Sequence, residues 1–387
     1  MVLLGFRHRL AALATALLLA ACGSGHDDDG VDFTSTVSFG DSLSDVGTYR
    51  VGTIAAIGGG KWTVNGPDAA NWTELVANAA GTPAPCPAQT GLLVNIPGLV
   101  GAPVMNFPAC RGYAQGSARV SQRFGPNTAS LQSPPFNEIN LGLMAVPVAT
   151  QMDTHLANVG GTYSGTELVT VMAGGNDLFM NFNGVVNAGA GGSAALGAAL
   201  AAGWSTGVQA LVTLGGSAAT DAATAAAYDS MRDAGSELAD LVRSRVLAKG
   251  ARHVVVVNMP DVSQTPFGLS LDAGSRSIVS NMVTFFNSQL QSGLNGSGVL
   301  LVDTYAQGRL QAASPATFGI SNATTPACST TSPANPLQGS SLGCTAASTV
   351  AADTSGFLYA DSVHPSPLGY RLIAQHVIER MRAAGWL

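Results

Sequence analysis

Short apolar runs at 36–39, 103–107, 168–173, 252–258 and 298–303 are separated by long stretches of mixed polarity. Val254, Val255, Val256 and Val257 leave no polar position in their run, which predicts a strand buried on both faces, as in a parallel sheet. Between the runs the apolar spacing lengthens to three and four. Over 222–249, Met231, Ala234, Leu238, Leu241, Val242 and Val246 fall on one helical face, and Gly250 supplies a stop. A last helix is predicted over 367–384, with Leu368, Leu372, Ile373 and Val377 turned inward. Strands alternating with helices predict an α/β domain with a mostly parallel sheet of five strands. Three stretches break the pattern and read as loop insertions: 52–102, rich in Gly, Pro and Asn; 181–220, dominated by Gly and Ala; and 312–352, rich in Ser, Thr, Ala and Pro. No fixed-period repeat is present, and long insertions of this kind are candidates for shaping a cleft.

The amino terminus follows a different rule. Arg7, His8 and Arg9 precede an apolar run over 10–20, which is too short to span a bilayer and reads as a signal peptide. The ending Leu19-Ala20-Ala21-Cys22 is similar to a bacterial lipobox, which implies cleavage before Cys22 and a lipid on its thiol. Gly23 after the cysteine implies sorting to the outer membrane. The expected organisation is a signal peptide over 1–21, a flexible tether over 22–33 and one domain over 34–387. Asp27, Asp28 and Asp29 belong to the tether, as a solvated spacer rather than a cation site.

Composition narrows the chemistry. With 46% hydrophobic and 10% charged residues in 387, the chain is long enough for one α/β domain with insertions and is not disordered by charge. Lys61 and Lys249 are its only lysines and the formal charge is −6, which excludes nucleic acid as a natural partner. No phosphate-binding loop or dinucleotide fingerprint opens a helix after a strand. Apart from Cys22, four cysteines remain: Cys86, Cys110, Cys328 and Cys344. An even set in an exported protein predicts disulfides. Three pairings are possible, and proximity favours Cys86–Cys110 and Cys328–Cys344. No histidine or carboxylate flanks them at zinc spacing, so no metal is expected.

Gly40-Asp41-Ser42-Leu43 follows the first predicted strand, where open α/β sheets place ligands. The α/β-hydrolase elbow needs glycine at 44, where Ser44 stands. Asp361-Ser362-Val363-His364-Pro365 precedes the last helix, so acid and imidazole can face one cleft. His364 can then act as base on a serine hydroxyl while Asp361 fixes its tautomer. His8 and His26 lie in the leader and tether, His155 and His376 in helical patterns, and His253 opens a strand; only His364 has an acid beside it in a loop. An oxyanion needs donors. Gly116, in Tyr113-Ala114-Gln115-Gly116-Ser117, can offer a backbone N–H, and Asn176, in Gly174-Gly175-Asn176-Asp177, a side-chain amide. Each block alone is also ordinary turn chemistry; Ser42, Gly116 and Asn176 each follow one of three successive predicted strands.

These four blocks, in this order over 40–365, resemble the GDSL/SGNH hydrolase superfamily, and the contexts around Ser42 and His364 resemble exported bacterial esterases and lipases, including autotransporter passengers. The resemblance implies a flavodoxin-like three-layer α/β/α sandwich with a Ser42 nucleophile, a His364 base and Asp361 as its orienter. It also implies oxyanion donors at the Ser42 N–H, the Gly116 N–H and the Asn176 side chain. Gly116-Ser117 stands where many relatives carry Gly-Gly, which leaves the register of that donor open. The expected reaction is hydrolysis of hydrophobic short-to-medium-chain esters or lipids without a cofactor, by a monomer anchored to the membrane at Cys22. The same acyl-enzyme could serve an acyltransferase or phospholipase, or a carbohydrate acetylesterase using Trp62, Trp72 and Trp204 as sugar platforms. A non-catalytic surface lipoprotein is the remaining alternative.

Overall fold

A computed structural model describes residues 30–387 except 68, 95 and 133–140. The signal peptide, Cys22 and most of the expected tether lie outside the described residues. Strands β1 (Ser35–Gly40), β2 (Gln89–Leu92), β3 (Ala102–Asn106), β4 (Glu167–Met172), β5 (His253–Val257) and β6 (Leu300–Val302) form two sheets. Helices α1 (Gly52–Ala56), α2 (Trp72–Ala79) and α3 (Val148–Asn158) precede β4. Helices α4 (Gly175–Ala188), α5 (Gly192–Ala202), α6 (Thr206–Leu214) and α7 (Ser217–Leu241) separate β4 from β5. Helices α8 (Pro266–Ser270) and α9 (Ala273–Leu294) lead to β6, and α10 (Thr304–Ala313) and α11 (Pro367–Ala383) follow it.

The central sheet is parallel throughout, in the order β1-β4-β5-β6. Successive residues of a strand face opposite layers. Val254 and Val256 enter a core with Val169, Val171, Met231, Leu238, Val283 and Phe286. Val255 and Val257 enter the opposite core with Leu168, Trp72, Val76, Tyr370 and Val377. Each such side chain contributes about 1.5–3 kcal/mol by leaving water. The layers are therefore α/β/α, with α2 and α11 on one face and α3, α4, α7 and α9 on the other.

The sheet has four strands, not five. The run at 103–107 lies in β3, which pairs antiparallel with β2 in a separate ribbon and leaves Val104, Met105 and Phe107 exposed. The place beside β1 is taken by 111–115, held by Ser38 N to Arg111 O at 3.0 Å, Tyr113 N to Ser38 O at 2.8 Å and Gln115 N to Gly40 O at 3.2 Å. That contact is an isolated parallel bridge, Ser38 with Gly112, and not a regular strand. An apolar run alone did not separate an edge ribbon from a core strand, although Pro103, which cannot donate to a ladder, fits the ribbon better.

The 181–220 stretch is helical rather than a loop. Alanine is the strongest helix former, and the glycines act as punctuation: Gly191, Gly203, Gly215 and Gly216 sit at positive φ between α4, α5, α6 and α7. The tether also ends earlier than expected, since Phe33 is buried and Val31 N donates to Trp386 O at 3.1 Å. The two favoured disulfides, Cys86–Cys110 and Cys328–Cys344, are present.

Helices α7 and α9 cross closely at Gly235, where an added Cβ would lie 2.3 Å from the Phe286 carbonyl oxygen. Gly235→Ala is expected to destabilise the protein by about 1–3 kcal/mol, although alanine favours a helix by up to about 1 kcal/mol. A urea-unfolding midpoint equal to or above that of the wild type would refute this crossing.

Candidate active site

β1 ends at Gly40, whose φ of +151° and a Cβ position 2.1 Å from Met172 O leave room for glycine only. Gln151 of α3 clamps this end, accepting from Gly40 N at 2.9 Å and donating to Gly40 O at 2.8 Å. The chain then turns, with Ser44 N bonded to Asp41 O at 3.1 Å and Leu43 N to Asp41 Oδ1 at 3.0 Å. The turn presents Ser42 at the carboxyl edge of the sheet.

His364 reaches the same edge from the loop before α11. Its Nε2 lies 2.8 Å from Ser42 Oγ, and its Nδ1 lies 2.9 and 2.8 Å from the two oxygens of Asp361. With the Nδ1 proton directed at the carboxylate, Nε2 is left to accept from the serine hydroxyl. Asp361 also accepts from the N–H groups of His364 at 2.8 Å, Val363 at 3.0 Å and Ser341 at 3.0 Å. Burial opposes its charge, but the charge of His364 and these donors outweigh burial and hold the carboxyl well below the usual range. The 312–352 stretch thus supports the acid directly. Cys344 lies three residues from Ser341, and Cys328 N donates to Ala360 O at 2.8 Å, so the Cys328–Cys344 disulfide staples the donor segment to the acid's own strand of chain.

Two of the expected oxyanion donors, and a neighbour of the third, face the cleft. Asn176, at the start of α4, spends one amide hydrogen on Ala118 O at 2.9 Å and keeps the other. Gly116 differs from expectation: its N–H donates to Asp45 Oδ2 at 3.0 Å, and the space of its missing Cβ is filled by the Trp62 ring, 2.3 Å away. Glycine there admits an indole, not a substrate. The next residue, Ser117, lines the cleft with a left-handed φ of +67°. Neither the Ser42 nor the Ser117 N–H has an acceptor among the described residues.

Sequence reasoning gave Asp45 no role and offered Trp62 only as a sugar platform; both stand beside the site. Asp45 is buried and also accepts from Gly47 N at 2.9 Å and Thr48 N at 2.7 Å; burial raises its pKa against these bonds. Trp62 packs on the His364 ring with centroids 4.8 Å apart, and its indole N–H points to Asp45 Oδ2 at 3.4 Å. Trp72 and Trp204 are buried and bonded to Ser44 and Asn181, so neither presents a face to a sugar.

Behind the donors, Arg119 pairs with Asp177 at 2.8 Å with both side chains buried. Asp177 also accepts from Val120 N at 3.0 Å, and Arg119 caps the carbonyls of Ala201 and Ala202 at the end of α5. This brace ties 116–120 to the start of α4. Burial lifts Asp41 from 3.8 to about 7, against hydrogen bonds from Leu43 N and Gly175 N and the charge of His364. The cleft itself has a volume of about 310 Å³. Leu43, Met172, Phe179, Met259, Val262 and Phe267 supply apolar walls, and among the described residues no lysine or arginine lines it. Among the described residues no cluster of histidine, cysteine and carboxylate side chains is arranged to hold a metal ion, and no helix is long and apolar enough to cross a membrane.

Ser42, His364 and Asp361 are thus joined by hydrogen bonds at an apolar cleft, an arrangement suited to ester hydrolysis. The sequence matches the GDSL-like lipase/acylhydrolase family over residues 37–377, and the chain belongs to that family; it is a carboxylic ester hydrolase. No curated protein matches the sequence. Among solved structures, the chain is similar to LAE5, an α/β hydrolase enzyme from the metagenome of Lake Arreo, at 13% identity and a TM-score of 0.39, covering 93% of this chain and 98% of that one. It is also similar to an extracellular lipase from Streptomyces rimosus, at 16% identity and a TM-score of 0.40, covering 91% of this chain and 99% of that one.

Removing one partner of a buried pair strands the other charge, so Arg119→Met is expected to cost about 3–5 kcal/mol. Arg119→Met/Asp177→Leu should cost clearly less, and equal losses in urea unfolding would contradict a stranded charge. Asp41 gives a pH signature. Between 3.8 and about 7 the folded protein keeps a proton that the unfolded chain has lost, so this group makes stability fall as pH rises. Asp41→Asn should flatten that fall; an unchanged slope of unfolding free energy against pH in this window would exclude it.

Proposed function

We propose that the chain hydrolyses uncharged hydrophobic esters through an acyl-enzyme on Ser42. His364 Nε2 takes the hydroxyl proton as Ser42 Oγ bonds to the carbonyl carbon. The tetrahedral intermediate collapses, the alkoxy C–O bond breaks, and His364 returns the proton to the departing alcohol. Water then attacks the acyl carbon as the same imidazole takes its proton; the bond from that carbon to Ser42 Oγ breaks, His364 returns the proton to Oγ, and the acid leaves. Asp361 holds the ring and stabilises its cationic form. The observation that carries this reading is the continuous bonding of Ser42, His364 and Asp361, with 2.8 Å at the hydroxyl.

The developing oxyanion is assigned to the N–H groups of Ser42 and Ser117 and the free amide hydrogen of Asn176. Ser117 replaces Gly116 in this role because the Gly116 N–H is committed to Asp45. Substrate charge follows from the lining. An anionic headgroup beside the ester would be desolvated with no cation to meet it, which favours simple acyl esters over phospholipids.

Ser42→Ala should abolish ester turnover and fluorophosphonate labelling while leaving the melting temperature near that of the wild type. Asn176→Ala should lower kcat by about 10²–10³ with KM little changed. Full activity in Asn176→Ala would remove it from the oxyanion site, and residual turnover in Ser42→Ala near the wild-type rate would remove the acyl-enzyme.

A further inference from the structure

The active-site cleft has a neighbour. A second cavity of about 220 Å³ lies beside it, lined by Leu131, Met180, Ala198 and Ala201 among others. The two share three wall residues, Pro126, Asn127 and Phe179. The first two belong to a loop fixed through its backbone: Thr128 Oγ1 donates to Gly125 O at 2.6 Å and accepts from Gly125 N at 2.8 Å, while Leu143 N donates to Asn127 O at 2.9 Å. Phe179 is different. It stands on α4 one turn beyond Asn176, it is only half-buried, and its ring is held edge-on by Phe267 at 5.4 Å and 79°. It is the one large side chain in the shared wall.

We propose that Phe179 sets the upper acyl-chain length of this enzyme by closing the cleft against the second cavity. The inference rests on Ser42 being the acylated residue. A cavity holds about one non-hydrogen atom per 30 Å³, judged by the volume of liquid water, so 310 Å³ takes about ten. An octanoyl group with its carbonyl oxygen has nine and fills that space; a hexanoyl group has seven and fits within it. A third cavity, reached past Leu43, Pro260, Thr265 and Val363, is about 70 Å³ and has room for only about two such atoms. Of the two cavities adjoining the cleft, the larger is therefore the one behind Phe179. The wall beyond is mixed: Leu131, Met180 and Ala201 form a small apolar cluster that an alkyl chain can meet, and Asn127 and Asn183 complete the lining.

The test is a series of p-nitrophenyl esters from butyrate to hexadecanoate, with kcat/KM compared for wild type, Phe179→Ala, Phe179→Leu and Phe179→Trp. The wild type should peak at hexanoate or octanoate. In Phe179→Ala the dodecanoate-to-hexanoate ratio should rise by at least about tenfold, because each methylene newly accommodated is worth about tenfold or more. Phe179→Leu, the milder change, should rise in the same direction, and Phe179→Trp should move the peak towards butyrate. Ratios within one variant are unaffected by a general loss of activity or stability. Ratios unchanged across all four proteins overturn the proposal while leaving Ser42 chemistry intact. Failure of the wild type to hydrolyse any ester or to label with fluorophosphonate instead overturns the acyl-enzyme on which it rests.

Discussion

Strands β1 and β4 run parallel in strict step from Ser35 opposite Glu167 to Gly40 opposite Met172, and the site depends on that pairing. Because the strands end together, the turns leaving them deliver Ser42 and Asn176 to the same edge. The pairing is tight at its end, where only a glycine fits between β1 and the Met172 carbonyl. Asp41, accepting from Leu43 N at 3.0 Å, fixes the turn that leaves β1. Displacing this edge would move Ser42 and the Asn176 amide together.

Around that edge a chain with few charges buries several of them. Asp41, Asp45 and Asp177 are each almost fully covered, and Asp361 is nearly so. Burying a carboxylate costs several kcal/mol unless it is compensated, and each is compensated differently. Asp177 has Arg119, and Asp361 has His364 and three backbone donors. Asp45 has N–H groups without a cation, and Asp41 keeps its proton to about 7. Polar groups of this kind hold the geometry of a site at the expense of stability.

The segments that look dispensable supply the second layer of the site. Trp62, from 52–102, backs the imidazole, and Asn65 near it bonds to Ser341 O and Cys344 O at 2.9 and 3.0 Å. Ser341, from 312–352, donates to the acid. The 181–220 stretch contributes Asn183, Ala198 and Ala201 to the cavity behind Phe179 and the α5 carbonyls to Arg119. Support for the site thus comes from the stretches whose composition reads least clearly.

Sequence alone determined the features that depend on residues close together in the chain. The valine run, the helical face over 222–249 and the final helix follow from periodicity, because burial of one face is imposed residue by residue. Ser42, Asp361 and His364 were legible because each sits in a short motif beside a strand or helix end. The strand at 103–107 and the loop at 181–220 were misread because apolar runs and glycine content do not say which neighbour an element meets. The donor at Gly116 shows the limit most clearly. Its N–H is taken by the carboxylate of Asp45, 71 residues away. Only the tertiary structure could decide it, since a backbone donor goes to whichever acceptor the fold brings within reach.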